Sequence, residues 1–346
     1  MKKVLRFFSI LTLLLYGFVI AGCEETFENN QVWPDANFSV EEGKTMRFRE
    51  DGTFKILQFT DLHLTYGFDH NDQATLRLIK LAAMAESPDL IVFTGDQTMS
   101  PSNRRLYSRW IKHVDALGIP WAFVFGNHDA ESGASKESLS KMALKNGKHT
   151  VFELGPSTIE GIGNYFIRLL PQESDETRYV LFFLDSNEHR VYDLQEDKKF
   201  WYDYIYENQI AWYEDMVLKV NDHAGSIVPS LAFFHIPLPE YHDVVDNPAL
   251  IKTGSRFELP CTPYVNTGMF EKMKELGSTK GVFVGHDHIN DYTYEKDGIL
   301  LAYGRASGFN AYGKSDMAKG ARVIVLYEET QTFETSVITT EDLGGW

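Results

Sequence analysis

Short apolar runs alternate with longer amphipathic stretches from about residue 53 onward. The run at 54–60 predicts a buried strand that ends at Asp61, and the stretch at about 72–86 predicts a helix. The alternation continues with strands predicted at 90–94 and 120–125, separated by a helix at about 103–117. Strands that alternate with amphipathic helices predict crossover units and a largely parallel sheet.

The C-terminal half repeats this pattern. Strands are predicted at 180–184, 231–234 and 281–284, and shorter strands joined by turns follow from residue 291. No linker separates the halves, so residues 46–346 are predicted to form one domain. Every polar cluster of interest follows a predicted strand, which is where α/β proteins place ligand sites.

The N-terminus has the pattern of an export signal. Lys2, Lys3 and Arg6 precede an apolar stretch at 7–20 that is too short to predict a membrane span. The sequence at 20–23, Ile-Ala-Gly-Cys, resembles a bacterial lipobox. The resemblance implies a signal peptide at 1–22, a lipid on Cys23, a tether at 23–45, and an exported protein anchored at the periplasmic face or cell surface. An ordinary signal peptide with an unrelated cysteine is the alternative.

Composition narrows the class of protein. The 346 residues are 43% hydrophobic and 14% aromatic, which indicates a globular chain. The net charge of −16 becomes three units more negative without residues 1–22. Such acidity argues against nucleic acid as a partner, because that binding needs positive charge. The only cysteines, Cys23 and Cys261, cannot form a disulfide framework and lack zinc-site spacing.

Five polar clusters carry the candidate chemistry. Each one alone has a plain alternative, since a polar residue after a strand is often a helix cap or a satisfied turn residue. Their common order and their positions at strand ends favour a shared site. The clusters are Asp61-Leu62-His63, Gly95-Asp96, Gly126-Asn127-His128-Asp129, His235, and Gly285-His286-Asp287-His288.

These residue types suit the cleavage of phosphate esters. Two divalent cations about 3.5–4 Å apart can hold the ester oxygens and lower the pKa of a bridging water. Carboxylates and imidazoles favour Mn, Fe or Zn. Asp96 is the natural bridging ligand, because it is the lone acid of its motif. In an extended segment, alternation would place Asp61 and His63 on the same side, where both could reach one ion.

The ordered motifs at about 50–330 resemble the calcineurin-like metallophosphoesterases. The resemblance implies a four-layer α/β/β/α sandwich with a dinuclear site at the strand ends. It implies one metal on Asp61, His63, Asp96 and His288, and a second on Asp96, Asn127, His235 and His286. It further implies that His128 acts as a general acid or transition-state donor, oriented through a hydrogen bond by Asp129.

Further segments resemble a purple-acid-phosphatase-like subgroup of plants and fungi. They are the sequences at 163–165, 183–186, 233–240, 284–291 and 311–314. True purple acid phosphatases carry a tyrosine three residues after the bridging aspartate, where this chain has Met99. A colourless Mn, Zn or Fe(II)-containing pair is therefore expected instead of a tyrosinate-bound ferric ion.

Other residues give weaker indications. Arg305 could hold a phosphate oxygen or could be a surface arginine. Tyr66, His70 and Asn71 could line the substrate pocket. The aromatic stretch at 200–213 has helical spacing, which predicts core packing. Five further histidines are predicted to face solvent: His113, His149, His189, His223 and His242.

The favoured function is a metal-dependent phosphomonoesterase that uses a metal-bound water or hydroxide. Its substrate would be a phosphorylated small molecule or lipid, and its oligomeric state is open. A phosphodiesterase or a nucleotide or lipid pyrophosphatase could use the same site. A non-catalytic, metal-containing surface lipoprotein is a third hypothesis, which predicts erosion of catalytic groups, although His128 and Asp129 are both present.

Overall fold

The computed structural model describes residues 43–194 and 197–344. The predicted signal peptide, Cys23 and nearly all of the predicted tether lie outside these residues. Within the described ranges, no helix combines the length and the apolar character needed to cross a membrane. The first described strand contains Lys44 and Thr45, so it begins two residues before the predicted domain start.

Two sheets and one separate hairpin contain the strands. The larger sheet is mixed, with strand order β1-β5-β6-β9-β10-β12-β11. The smaller sheet has the order β14-β13-β2-β3-β4, with β2, β3 and β4 parallel. Strands β7 and β8 pair only with each other. The strands are β1 Lys44–Arg47, β2 Thr53–Phe59, β3 Leu90–Thr94, β4 Trp121–Val124, β5 Tyr165–Leu170, β6 Tyr179–Phe183, β7 His189–Leu194, β8 Asp197–Tyr202, β9 Ser230–Phe233, β10 Thr279–Val284, β11 Thr293–Lys296, β12 Ile299–Tyr303, β13 Gly320–Tyr327 and β14 Thr332–Thr339.

The helices connect these strands. Two short 3₁₀ turns, Pro239–His242 and Pro248–Leu250, flank the fifth helix. The α-helices are α1 His70–Glu86, α2 Asn103–Asp115, α3 Lys136–Asn146, α4 Glu207–Ala224, α5 Asp243–Asp246 and α6 Met269–Leu276.

Alternating side chains of the larger sheet belong to two different cores. In β6, Leu181 and Phe183 pack in a core shared with β2, β3 and β4 of the smaller sheet, while Phe182 packs in a second core with α4. This division follows from the two-residue period of a strand. The smaller sheet packs its other side against α1 and α2, through residues such as Ile79 and Trp110. The predicted α/β/β/α sandwich is therefore confirmed.

The predicted elements agree with the structure apart from their ends. Strand β3 has the predicted bounds, and the other strands named from sequence shift by one or two residues. Helix α1 begins at His70, earlier than predicted, because Asp69 caps it and accepts from the backbone N–H groups of Asn71 and Asp72. The helical prediction at 200–213 is wrong in its first part, which forms the end of β8.

A partly buried carboxyl group makes stability depend on pH. Burial raises the pKa of Glu153 to about 7, and the charge of Lys44 only partly offsets this effect. The pKa in the folded state therefore exceeds the unfolded value of about 4.3. Because the folded chain holds this proton while the unfolded chain has released it, stability falls as pH rises between those two values.

The variant Glu153→Gln should therefore raise the free energy of unfolding at pH 8, by about 1–3 kcal/mol, and change it little at pH 4.5. Urea unfolding curves at the two pH values measure the difference. The exposed Glu50→Gln provides a control and should show no such pH dependence. An equal effect of Glu153→Gln at both pH values would contradict the burial argument.

Candidate metal centre

Loops from both sheets meet at one edge of the sandwich. Strands β2, β3 and β4 are neighbouring and parallel, so the loops that follow them emerge together. Strands β9 and β10 are also parallel neighbours, in the larger sheet. All five polar clusters follow these five strands. The sheet topology thus explains why residues as distant in sequence as Asp61 and His288 share one site.

Four side chains form a first buried group: Asp61, His63, Asp96 and His288. One ligand atom from each lies within 4.8 Å of all the others. His288 Nε2 is 3.4 Å from Asp61 Oδ1, and His63 Nε2 is 3.3 Å from Asp96 Oδ2. Donor atoms bound about 2.0–2.2 Å from one ion lie roughly 3.0–3.5 Å apart. This group therefore fits a divalent cation.

A second group shares Asp96 with the first. His235 Nε2 is 3.3 Å from Asp96 Oδ2 and 3.1 Å from Asn127 Oδ1. His286 Nδ1 lies 3.3 Å from the same His235 nitrogen. The other oxygen of Asp96 accepts the backbone N–H of His128 at 2.9 Å. Only Oδ2 of Asp96 thus faces both groups, which is the arrangement that a bridging ligand requires.

The orientation of the imidazoles supports a cation between them. His235 Nδ1 is 2.8 Å from the carbonyl oxygen of Thr94, so Nδ1 is the donor and Nε2 faces Asp96. Burial lowers the pKa of His235, but the charge of Asp96 outweighs it and raises this pKa to about 9, so a bound cation would displace the proton on Nε2. His63 Nε2, buried, has no hydrogen-bond partner among the described residues. Two facing ring nitrogens, His235 Nε2 and His286 Nδ1, both need a positive partner when neither carries a proton. The donor set suits Mn, Fe or Zn.

Burial and neighbouring charges both shift the pKa values of the candidate ligands. Burial alone would raise the pKa of Asp61, but the His288 imidazole outweighs it and holds that pKa below its usual range. For Asp96, burial is likewise outweighed, chiefly by His235, and the pKa lies well below normal. Burial lowers the pKa of His286, and the neighbouring His235 lowers it further. The site therefore combines ionised carboxylates and a neutral His286 with a protonated His235, whose proton a bound cation would displace.

Backbone strain is concentrated at these residues. Eight described non-glycine residues have positive φ, and four of them are Asp61 (54°), His63 (46°), Asp96 (54°) and His286 (80°). The predicted extended segment at Asp61 and His63 is therefore wrong, although both side chains do join one group. Left-handed conformations of non-glycine residues are costly and persist where the surroundings enforce them, often at functional sites.

Two glycines allow the loops to approach each other. Gly95 has φ of +92°, and a Cβ there would lie 2.4 Å from Nδ1 of His235. A Cβ at Gly126 would lie 2.2 Å from Asp96 Oδ1. Any side chain at either position would displace a candidate ligand, so the sequence keeps glycine where the backbones meet the site.

Sequence comparison agrees with this geometry. The model of the calcineurin-like phosphoesterases matches residues 54–290. The chain belongs to the calcineurin-like phosphoesterase family. It is 32% identical over 316 residues to "Probable inactive purple acid phosphatase 14" of Arabidopsis thaliana, which covers 81% of this chain and 77% of that protein.

Two further proteins resemble this chain, one in sequence and one in fold. "Phosphatase DCR2" of Saccharomyces cerevisiae is 32% identical over 294 residues, which cover 74% of this chain and 48% of that protein. The crystal structure of a dimetal phosphatase from Danio rerio covers 82% of this chain and 98% of its own, with a TM-score of 0.52 and 13% identity. That likeness shows a shared fold.

His128 lies beside the two groups and outside them. Its ring centroid is 5.4 Å from that of His63. Its Nδ1 lies 2.7 Å from Glu131 Oε2, so Glu131 and not Asp129 contacts the imidazole. Burial lowers the pKa of His128, but the charges of Asp96 and Glu131 outweigh it, and the pKa is raised. The contact with Glu131 occupies Nδ1 and leaves Nε2 as the nitrogen available to a substrate.

Asp129 holds two site loops together, so its predicted contact with His128 is wrong. Its carboxylate accepts three backbone N–H groups: those of Asp96 and Thr98, both at 3.0 Å, and that of Gly126 at 2.8 Å. These bonds join the loop after β3 to the loop after β4. Burial, followed by the charge of Asp96, raises the pKa of Asp129 to about 7. Asp129 positions the candidate ligands instead of the imidazole.

The other predicted contacts differ from the structure. The Arg305 guanidinium donates to Asp291 Oδ2 at 2.5 Å and to the carbonyl of Ala318 at 2.7 Å, and its side chain is only 11% exposed. It is neither a surface arginine nor free to bind phosphate through those nitrogens. His70 and Asn71 line a surface pocket with Phe309 that contains none of the candidate ligands.

Several residues near the site were missed from sequence. His189, predicted to face solvent, has its ring 6.4 Å from that of His128. Elsewhere in the chain, His113 was also predicted to face solvent, but its imidazole contacts the carbonyl of Leu76. Tyr202 packs edge-on against His286, with ring centroids 4.2 Å apart. Tyr312 stacks on His288 at 4.0 Å. The separation of Glu131 from His128 by three residues was the one local signal that could have identified it.

The new contact predicts that Glu131→Gln changes the pH dependence of the reaction. Loss of the Glu131 charge removes one of the causes that raise the pKa of His128. For phosphoester hydrolysis, the alkaline limb of kcat against pH should therefore move to lower pH, and kcat at neutral pH should fall about 3- to 30-fold with the metal content unchanged. Rates of hydrolysis measured at a series of pH values test this prediction.

The control is Glu137→Gln, which removes an exposed carboxylate on α3 that pairs with Lys141. An unchanged pH profile in Glu131→Gln would contradict the assignment.

Proposed function

We propose that this protein is a phosphoester hydrolase that works with two divalent ions. The observation that carries the proposal is the position of Asp96 Oδ2, which lies 3.3 Å from both His63 Nε2 and His235 Nε2. One ion would be held by Asp61, His63, Asp96 and His288. The other would be held by Asp96, Asn127, His235 and His286.

When bound, the ions would supply charge to the phosphate oxygens and activate the attacking water. The chain's own residues would do the rest. Asp129 and the glycines at 95 and 126 would hold the loop after β3 against the loop after β4, so that the ligand atoms are preorganised. The imidazole of His128 would donate a proton or a hydrogen bond through Nε2 to the departing or equatorial oxygen, with Glu131 holding Nδ1.

Active hydrolysis is favoured over a binding role without turnover. The word "inactive" in the name of the Arabidopsis relative applies to that protein. In this chain all seven candidate ligands are present and their atoms converge, and His128 keeps a carboxylate partner. Met99 occupies the position where purple acid phosphatases have tyrosine, which supports a colourless pair of Mn, Zn or Fe(II).

Phosphomonoesters are the proposed substrates, in the form of a phosphorylated small molecule or lipid. Support comes from the yeast relative, which is named as a phosphatase. A phosphodiesterase or pyrophosphatase would use the same ion clamp. No nucleic-acid partner is proposed, in view of the net charge of −16.

Elemental analysis of the purified protein, combined with a phosphoester panel, tests this function. We expect two ions per chain, loss of activity with a strong chelator, and recovery with Mn or a related ion. Monoesters should be cleaved faster than bis-aryl diesters and pyrophosphates. Full wild-type activity with at most one ion would contradict the dinuclear proposal, and two ions without any turnover would favour the binding role.

We further propose export and attachment to a membrane through a lipid on Cys23. The support is the sequence at 1–23 alone. Mass spectrometry of the mature N-terminus, compared with Cys23→Ala, tests the proposal. A wild-type N-terminus without acyl groups would overturn it.

A further inference from the structure

The β7–β8 hairpin stands apart from both sheets and has two chemically distinct faces. Residues directly opposite each other in an antiparallel pair point to the same side. His189 pairs with Tyr202, Val191 with Phe200, and Asp193 with Lys198, and these three pairs form the face that we call the front face. Arg190 with Trp201, and Tyr192 with Lys199, form the back face.

The back face fixes the hairpin to the domain. Trp201 Nε1 donates to the carbonyl of Thr262 at 2.9 Å. The Arg190 guanidinium lies 4.7 Å from the ring centroid of Tyr204 and pairs with Asp203 at 3.5 Å. Because the back face is held by these contacts, the front face is presented in a defined direction.

The front face continues the wall of the metal centre. Tyr202 touches the ring of His286, a candidate ligand, with centroids 4.2 Å apart. His189 lies 6.4 Å from His128 and contacts Phe200 and Tyr202 at 4.9 and 5.2 Å. A continuous series of rings therefore runs from the proposed acid, His128, onto the hairpin.

The middle of the front face is apolar and open to solvent, between the His189–Tyr202 pair and the charged pair Asp193–Lys198 at the outer end. Phe200 is 67% exposed and Val191 is 57% exposed. The ring of Phe200 stacks on His189 with an interplanar angle of 17°, so it extends the wall by a second flat surface. A ligand that reaches outward from the candidate metal centre would cover both Phe200 and Val191.

We propose that the front face of the hairpin binds the organic part of the phosphoester and selects substrates that carry an aromatic ring. This inference rests on the proposed function, which places the leaving oxygen next to His128. A group attached to that oxygen then lies beside His189, and a ring several bonds further out would stack on Phe200. Aromatic pairs of this kind favour planar groups over flexible chains of similar area.

Phosphonates that are not hydrolysed separate binding from turnover. The probes are 3-phenylpropylphosphonate, n-propylphosphonate and n-nonylphosphonate, whose head groups are the same. Kd is measured by calorimetry on the metal-loaded full chain. Wild type should bind the phenylpropyl probe about 10-fold more tightly than the propyl probe. Phe200→Ala should abolish most of that preference and leave the propyl Kd unchanged within about twofold.

Matched variants separate this role from a structural one. Phe200→Leu should keep a partial preference, because it keeps apolar area but removes the ring. Leu218→Ala removes a similarly exposed apolar side chain, 52% exposed, from α4 and should change none of the affinities. Metal content should stay at the wild-type value in all three variants.

The results that would overturn the inference are distinct from a failure of the proposed function. Equal weakening of all three probes by Phe200→Ala would assign the hairpin a structural role. A nonyl probe that binds as tightly as the phenylpropyl probe and is equally weakened would replace the aryl selectivity by a site for alkyl chains. If the metal-loaded wild type binds no phosphonate at all, the proposed function itself fails. An equal Kd for the propyl and phenylpropyl probes would leave that function intact and overturn the role of the hairpin.

Discussion

Asp96→Ala should lose both ions and lower kcat/KM by about 10³-fold or more. Among the described residues, Asp96 alone has one oxygen that lies 3.3 Å from a nitrogen of each group, His63 Nε2 and His235 Nε2. Its removal takes one ligand from each proposed ion and also the negative charge that lies between them. Ions in such a site contribute several kcal/mol to the stabilisation of the transition state, which corresponds to this loss in rate.

Asp89→Ala is the matched control for this experiment. Asp89 precedes the same strand, β3, at its opposite end, where it pairs with Arg49 at 2.9 Å and accepts the backbone N–H of Lys55. The control should lose some stability but keep both ions and its activity. Metal content is measured by elemental analysis after desalting, with circular dichroism as a check on folding. Two ions retained by a folded Asp96→Ala would contradict a bridging role for Asp96.

The positions of the candidate ligands could be predicted because they depend on strand ends. A buried strand in an α/β sandwich is short and apolar, and residues that follow it in parallel neighbours must meet at one edge. The run at 90–94 shows this well, since its predicted and observed bounds are the same and Asp96 follows directly. The common order of the five motifs indicated one shared site, which no single motif could indicate.

The hydrogen-bond partners of His128 and Arg305 could not be predicted in the same way. Asp129 follows His128 directly, but adjacent side chains in this turn point apart, and the carboxylate of Asp129 is occupied by three backbone N–H groups. The acid that reaches the imidazole is Glu131, three residues on. Similarly, Arg305 contacts Asp291 at the open end of the β11–β12 hairpin, opposite the turn that joins the two strands. Such choices depend on local backbone angles, and the positive φ values at Asp61 and His63 show how far these loops depart from an extended chain.

The front face of the hairpin could not be predicted from the sequence, for a different reason. A single strand such as β8 shows no clear two-residue alternation, since Lys198, Lys199, Phe200, Trp201 and Tyr202 mix charge and aromatic character. The two faces are distinguished only when β7 is paired in register, with His189 opposite Tyr202. Pairing is a non-local property, and so the sequence alone predicts a helix and core packing for the aromatic residues at 200–202.

His128→Ala should lower kcat by about 10²–10⁴-fold while both ions stay bound. The imidazole lies outside both ligand groups, and its backbone N–H, which the variant keeps, still donates to Asp96 Oδ1. The loss would therefore come from the proton or hydrogen bond that Nε2 supplies in the transition state. Asp129→Asn gives the contrasting result, because its amide can no longer accept all three backbone N–H groups, so metal affinity should fall along with activity.

The leaving group separates the two possible roles of His128. If the imidazole chiefly protonates the departing oxygen, an aryl ester with an acidic alcohol should lose much less activity in His128→Ala than an alkyl ester does. If it chiefly stabilises charge on the equatorial oxygens, both esters should lose the same factor. Rates under saturating substrate, together with metal analysis of each sample, distinguish these outcomes. A metal position emptied by His128→Ala would show instead that His128 is a ligand, and the separation of the imidazole from the two ligand groups would then be wrong.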